Sequence, residues 1–140
     1  MRARLVLMIA LTFQLSSCTP SYAQSSLPGI PGNLAVKAIL GEAGGLSSYE
    51  QEAIAHALRN RASLKGVYGV GSNRPSTQKE RLAALETWKK AMSGPDVTKG
   101  ATNWLSRWDL KHCRPSLIAW RFKIVKTYET KHFVFYKEVK

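Results

Sequence analysis

The sequence predicts a single, mainly α-helical (α+β) domain that closes with a short β or extended segment. Three observations carry that expectation. Two Ser/Thr-x-x-Glu signatures, Ser47 with Glu50 and Thr77 with Glu80, each precede apolar residues at helical spacing. An almost wholly apolar stretch, Leu34 to Ala43, stands between Asn33, a helix-capping residue type, and Gly44-Gly45, which stop a helix. Near the end, HFVFYKE (His132 to Glu138) reads as a strand or extended edge. With 140 residues, 44% apolar and 21% charged, the chain has the size and composition of one soluble globular domain, and no internal repeat or low-complexity tract points elsewhere.

Taken in order, residues 1–23 read as an export signal: the basic MRAR precedes the apolar LVLMIALTFQL. As a helix that apolar run reaches about 16 Å, roughly half the hydrocarbon core of a bilayer, too short for a permanent span. Two cleavage sites compete. LSSC (Leu15 to Cys18) resembles a lipobox, with cleavage before Cys18, lipidation of that cysteine and attachment to a membrane; SYAQ (Ser21 to Gln24) suits ordinary cleavage after Ala23. Either places the product outside the cytoplasm, in the periplasm or cell envelope. Residues 24–32, rich in Ser, Pro and Gly, form a flexible lead-in, and the folded domain is expected over residues 33–140.

Asn33 is expected to cap a first helix over Leu34 to Ala43, whose Leu34, Val36, Ala38, Ile39 and Leu40 cover most of its circumference and demand burial. Glu42 then falls in the last turn, where apolar surroundings and the negative end of the helix dipole both oppose ionisation. Gly44 and Gly45 supply the positive φ that ends the helix. The second helix starts at Ser47, or one residue later with Ser48 and Gln51 as the capping pair, carries Ala53, Ile54, Ala57 and Leu58 on its inner face and ends near Asn60 and Arg61. Leu64 to Ser76, with three glycines and a proline, is a loop placed to wall a cleft. A third helix follows Thr77, with Leu82, Leu85, Trp88, Ala91 and Met92 at helical intervals up to Ser93. Eight aromatic residues then fall between Trp104 and Tyr136, and Pro115 to Val125 fits a helix and a strand alike.

Charge narrows the partners. Lys and Arg outnumber Asp and Glu by 21 to 9, and the formal charge is still +10 once Arg2 and Arg4 leave with the signal. Ten basic residues against three acidic ones lie between Lys99 and Lys140, so an anionic partner is expected; export shifts that partner from nucleic acid to cell-wall polymer or membrane surface. Cys113 alone remains after processing, which rules out an internal disulfide and leaves a buried small hydrophobe as its simplest role. His56, His112, Cys113 and His132 are zinc-type ligands, but no pair has ligand spacing, so neither a metal nor any other cofactor is expected.

GEAGGLSSYEQEAIAHALRNR, Gly41 to Arg61, resembles the opening motif of the bacterial cell wall hydrolases related to spore-cortex-lytic enzymes. A Gly-Glu-Ala triplet there leads without gaps into a helix with Ala-x-Ala-x-x-x-x-Asn-Arg, matched by Ala53, Ala55, Asn60 and Arg61. DVTKGATNW, Asp96 to Trp104, is similar to the family's Asp-Pro-Thr-x-Gly-Ala segment, and FVFYK, Phe133 to Lys137, to its terminal His-x-Phe-Tyr block. Three blocks in the right order are a far more specific signal than a lone Gly-Glu-Ala. The chain departs from the pattern at Val97, where the family has proline, and at Phe133, where histidine is expected and His132 stands one place early; the middle segment has no clear counterpart.

The resemblance implies a lysozyme-like domain acting on peptidoglycan between N-acetylmuramic acid and N-acetylglucosamine, with Glu42 as catalytic acid. It also implies substrate contacts at Thr102, Asn103, Trp104 and Tyr136, and a bracing role for Asn60 and Arg61. From residue types alone, Gly100 to Asn103 reads equally as a turn ending in a polar pair, and Trp104, Trp108 and Trp120 as core or as sugar-stacking surfaces. A lytic transglycosylase needs one carboxyl group, whereas a hydrolase ordinarily needs two. The further candidates are poorly placed: Glu50 and Glu52 face different ways on a helix, Glu50 being engaged in capping, and Asp96 and Asp109 lie in loop-like text. A basic module that binds cell-wall glycan or another polyanion without cutting it is the alternative from another class.

Overall fold

The computed structural model describes residues 29–114 and 123–139. Three helices, α1 (Gly32–Ala43), α2 (Ser48–Arg61) and α3 (Gln78–Ser93), come first, with a single 3₁₀ turn (Tyr68–Gly71) between the last two. Strand β1 (Asn103–Ser106), the short helix α4 (Arg107–His112) and strands β2 (Ile124–Glu129) and β3 (Phe133–Glu138) follow. The strands make one antiparallel sheet in the order β1-β3-β2. The signal segment and Cys18 lie outside the described residues, as do residues 115–122 with Trp120 and Phe122. Of the ambiguous segment only its end is described, and Ile124 and Val125 there open β2. Among the described residues no helix is long and apolar enough to cross a membrane.

The helices form for the reasons their sequences give, with corrections at the ends. Asn33 is not the cap of α1: the helix starts earlier, Pro31 stands at the N-cap without a side-chain acceptor, and its carbonyl takes the amides of Leu34 and Ala35. At the other end Gly44 is extended (φ −63°, ψ 134°) and only Gly45 takes positive φ (81°). Ser47 caps α2, its hydroxyl accepting from the Glu50 amide at 3.3 Å. The carboxylate of Glu50 does not return that bond; it is buried against the turn between β2 and β3. Thr77 and Glu80, by contrast, form the full reciprocal box at the start of α3.

The core lies where α1, α2 and α3 meet, filled by Ile39, Ile54, Leu58 and Trp88, with Phe135 of the sheet completing it. Burying side chains of this size is worth about 1.5–3 kcal/mol each. Of the expected stripe on α3, Trp88 and Ala91 are buried and Met92 packs against the core, but Leu82 is 45% exposed and Ala84 takes the inward place at that end. Strand β3 is also not an edge: it is the central strand, and Phe133, Val134, Phe135 and Tyr136 are buried in succession, as a strand covered on both faces requires. Cys113 is half-buried outside the core, its thiol donating to Asp109 Oδ1 at 3.6 Å.

Candidate active site

Glu42 sits in the last turn of α1, half-buried, and both of its carboxyl oxygens are held. The backbone N–H of Gly69, in the 3₁₀ turn, donates to Oε1 at 2.6 Å, and the indole N–H of Trp104, on β1, donates to Oε2 at 3.0 Å. The carboxyl group is thus clamped between a loop that precedes α3 and a strand that follows it. Glycine is required on both sides of the first contact. A Cβ on Gly69 would stand 2.5 Å from the carbonyl oxygen of Ala38 and 2.7 Å from Glu42 Cγ, and one on Gly41 would stand 2.0 Å from the carbonyl oxygen of Gly69. The Gly-Glu-Ala triplet therefore has a local reason: its glycine lets the 3₁₀ turn lie against α1 closely enough to reach the glutamate.

Three hollows meet along this surface. One of about 460 Å³ is lined by Glu42, Tyr68, Arg107, Trp108, Lys131 and His132. A second of about 630 Å³ shares Glu42 and Tyr68 with it and adds Arg61, Asn103, Trp104 and Asp109. A third of about 820 Å³ shares Arg61 and Asn103 with the second and adds Lys65, Thr102 and Lys137. Shared walls make them one groove with Glu42 between its arms, the layout required to hold a chain polymer on both sides of a cut. Tyr68 is 90% exposed and Trp108 65% exposed, both in the Glu42 stretch, and Trp108 is stacked on His112 at 4.6 Å. Exposed, pre-oriented rings of this kind offer apolar faces to sugar rings.

The residues expected from sequence divide in the structure. Trp104 touches Glu42 directly, Asn103 and Arg61 line the same hollow, and Arg61 Nη1 donates to Asn103 Oδ1 at 3.2 Å. Thr102 lines the neighbouring hollow, its amide bonded to the Tyr136 carbonyl. Tyr136 itself is 9% exposed on the central strand and lines none of the three hollows. Asn60 turns from the groove and braces the following loop, donating to Asp96 Oδ2 (2.8 Å) and the Ala101 carbonyl (3.0 Å).

The other carboxylates differ in how far they are committed. Asp96 accepts from the Thr98 amide and hydroxyl, the Gly100 amide and Asn60; burial opposes its charge, but these donors prevail and hold its carboxyl below the ordinary aspartate value. It organises the turn before β1. Ser106 caps α4, its oxygen accepting from the Asp109 amide and its hydroxyl donating to the Asp109 carboxylate, which lines the second hollow together with Glu42. Sequence reasoning missed Gly69, because a backbone donor leaves no side-chain signature, and Tyr68, Arg107 and Lys131, which fall in text that reads as loop or solvated surface.

No known protein-family profile matches the chain, and no curated protein matches it. A solved structure does: the crystal structure of the catalytic domain of the Bacillus cereus SleB protein superposes with a TM-score of 0.53 at 19% identity, covering 76% of this chain and 88% of that one. At that identity the likeness establishes the fold alone: the chain has a SleB-like, lysozyme-like α+β fold, as its sequence blocks imply.

Proposed function

We propose that the chain cuts the glycan strands of peptidoglycan between N-acetylmuramic acid and N-acetylglucosamine, as a lytic transglycosylase with Glu42 as its one catalytic carboxyl. The observation that carries this reading is the Glu42 clamp: a carboxyl group with one N–H on each oxygen, standing in the wall that two hollows share. Each carboxyl oxygen has a second lone-pair position beyond the one its donor occupies, so a proton fits on the group without breaking the clamp.

In the first step Glu42 gives that proton to the glycosidic oxygen as the C1–O bond of the muramic-acid residue breaks. Positive charge then develops at C1 of that sugar. As carboxylate, Glu42 next takes the proton of the sugar's own 6-hydroxyl, whose oxygen closes on C1 to give a 1,6-anhydro ring, and the enzyme is back in its starting protonation state. Gly69 and Trp104 hold the carboxyl in place while it changes charge, so no reorganisation accompanies either transfer. Tyr68 and Trp108 would stack on neighbouring sugars, and the basic walls would attract an anionic wall at a distance, an effect weakened by salt. Export to the periplasm or envelope, with or without a lipid on Cys18, fits this substrate.

The test is mass spectrometry of the fragments released from purified peptidoglycan by the wild-type chain and by Glu42→Gln. Anhydro-muramyl ends from wild type alone are expected. Reducing ends would replace the transglycosylase by a hydrolase and make Asp109, which shares the second hollow, the second carboxylate to test. Binding without fragments from either protein would leave a non-catalytic glycan-binding module.

A further inference from the structure

The roomiest of the three hollows lies beside Glu42, not over it, and its chemistry differs from that of the cutting site. Its walls are the end of α2 and the residues after it (Arg61, Ser63, Lys65), the turn before β1 (Gly100, Thr102, Asn103) and the end of β3 (Lys137, Glu138, Val139). Three cations surround it and one carboxylate, Glu138, stands at its rim. Among the described residues Arg61, Lys65 and Lys137 form no ion pair. Arg61 spends its fork on neutral acceptors, the side-chain oxygen of Asn103 and the backbone carbonyl of Lys65, which fixes the guanidinium and leaves donors for a ligand. Gly100 takes positive φ (83°) in the turn that forms one wall, a conformation that favours glycine, and the Lys137 stem runs beside it. Like charges gathered around one hollow repel each other, and that repulsion is relieved when an anion enters.

We propose that this hollow seats the peptide stem of peptidoglycan, its cations meeting the stem's free carboxylates; this rests on the glycan-cleaving reading above. The argument for stems over other wall anions is continuity. Arg61 and Asn103 line both this hollow and the one that holds Glu42, so a sugar lying in the groove has the hollow directly at its side. A muramic-acid residue carries its stem laterally, through the lactyl group, and three extended residues reach about 10 Å, enough to enter a side hollow from the sugar. The chain therefore selects stem-bearing glycan over bare glycan.

The experiment separates this from cleavage. Glu42→Gln protein, which binds without cutting, is titrated against soluble, uncross-linked glycan strands that keep their stems and against the same strands stripped of stems by an amidase. Both measurements are repeated with Lys65→Gln and Lys137→Gln added. Both lysines are exposed, so the additions leave the core untouched, and far-ultraviolet circular dichroism verifies the fold. Stem-bearing strands should bind roughly tenfold tighter than stripped ones, the contribution two exposed charge contacts make, and the double substitution should remove that ratio while Lys137→Arg retains it. Equal binding to both materials overturns the proposal, as does a ratio indifferent to the lysines. Tighter binding that follows the phosphate polymers of the wall, read on sacculi with and without them, overturns it in favour of a phosphate site. Fragment release by wild type, measured alongside, tests the cleavage reading independently: stem-dependent binding without release sinks the enzyme and keeps the subsite.

Discussion

Glu42 and Glu50 lie one on each side of the Gly-Gly break, at the end of α1 and the start of α2, and the structure uses them oppositely. Glu50 is 2% exposed, and its carboxylate takes the Thr130 hydroxyl, the His132 amide at 3.1 Å and the His132 ring Nδ1 at 3.0 Å. It ties the start of α2 to the turn between β2 and β3 and has no face left for a substrate. Glu42 takes one donor per oxygen and stands half-open in the groove. Burial alone does not single out the carboxyl group proposed to act on substrate. The useful distinction is between a carboxylate saturated by its own protein and one held in place with lone pairs to spare.

The sharpest way to break the comparison is to neutralise each residue in turn. Glu42→Gln keeps the shape and loses the transferable proton, so fragment release should fall at least about 10³-fold, corresponding to about 4 kcal/mol at the transition state, while the urea midpoint stays close to wild type. Glu50→Ala should show the reverse. Three donors around a buried site lose their acceptor, and the stability measured by urea denaturation should fall by about 3 kcal/mol, with cleavage persisting below the unfolding transition. If Glu50→Ala abolished cleavage at full stability, the assignment of roles would be wrong.

Trp104→Phe sharpens the contrast from within the active site. It keeps an aromatic side chain but loses the pyrrole half of the indole, and with it the N–H on Glu42 Oε2. A hydrogen bond to a charged group contributes about 1.5–3 kcal/mol, so turnover should drop roughly 10- to 100-fold, with the loss in kcat if the indole positions the acid and in KM if it only contacts sugar.

The same contrast explains what could be read from the sequence. Helices α2 and α3 were legible because caps and apolar spacing act within a dozen residues: Ser47, Thr77 and Glu80 do what their sequence positions say. The capping reading of Glu50 failed because its actual partners, Thr130 and His132, are remote in sequence and carry no local signal. Leu82 misled for a related reason: helical spacing gives a stripe but not which neighbour it meets, and here Trp88 and Ala84 meet α1 and α2 while Leu82 faces solvent. Strand β1 escaped notice because four half-buried residues, NWLS, have neither alternation nor length. Glu42 stood out as a candidate through blocks that resemble a known family, yet the Gly69 donor left almost no mark; its trace is that glycine recurs in GVYGVG, where a single Cβ at position 69 would collide with α1.

The smallest expected effect concerns pH, and it separates the scaffold from the site. His56 lies on the inner face of α2, 1% exposed, with Nδ1 lacking a hydrogen-bond partner among the described residues. Burial holds its pKa below the ordinary 6.5, and the charge of Arg59 and, less strongly, Lys90 pushes the same way, against the opposite pull of Asp96 and Glu52 at 4.0 and 3.9 Å. The unfolded chain therefore takes up this proton first as pH falls. Stability should be level above about pH 6.5 and decline below it, by at most about 1.4 kcal/mol per pH unit, until the folded imidazole protonates as well. Asp96, held low by its donors, contributes a second decline only in more acidic solution. His56→Gln should flatten the thermal-unfolding midpoint between pH 7 and 5 relative to wild type, while fragment release in that range keeps the wild-type profile, because His56 reaches the groove only through Asp96 and the turn that Asp96 organises. A release profile that moved with His56 would show that the helix-packing side and the Glu42 side titrate as one unit, and the division drawn between Glu50 and Glu42 would then hold for geometry but not for charge.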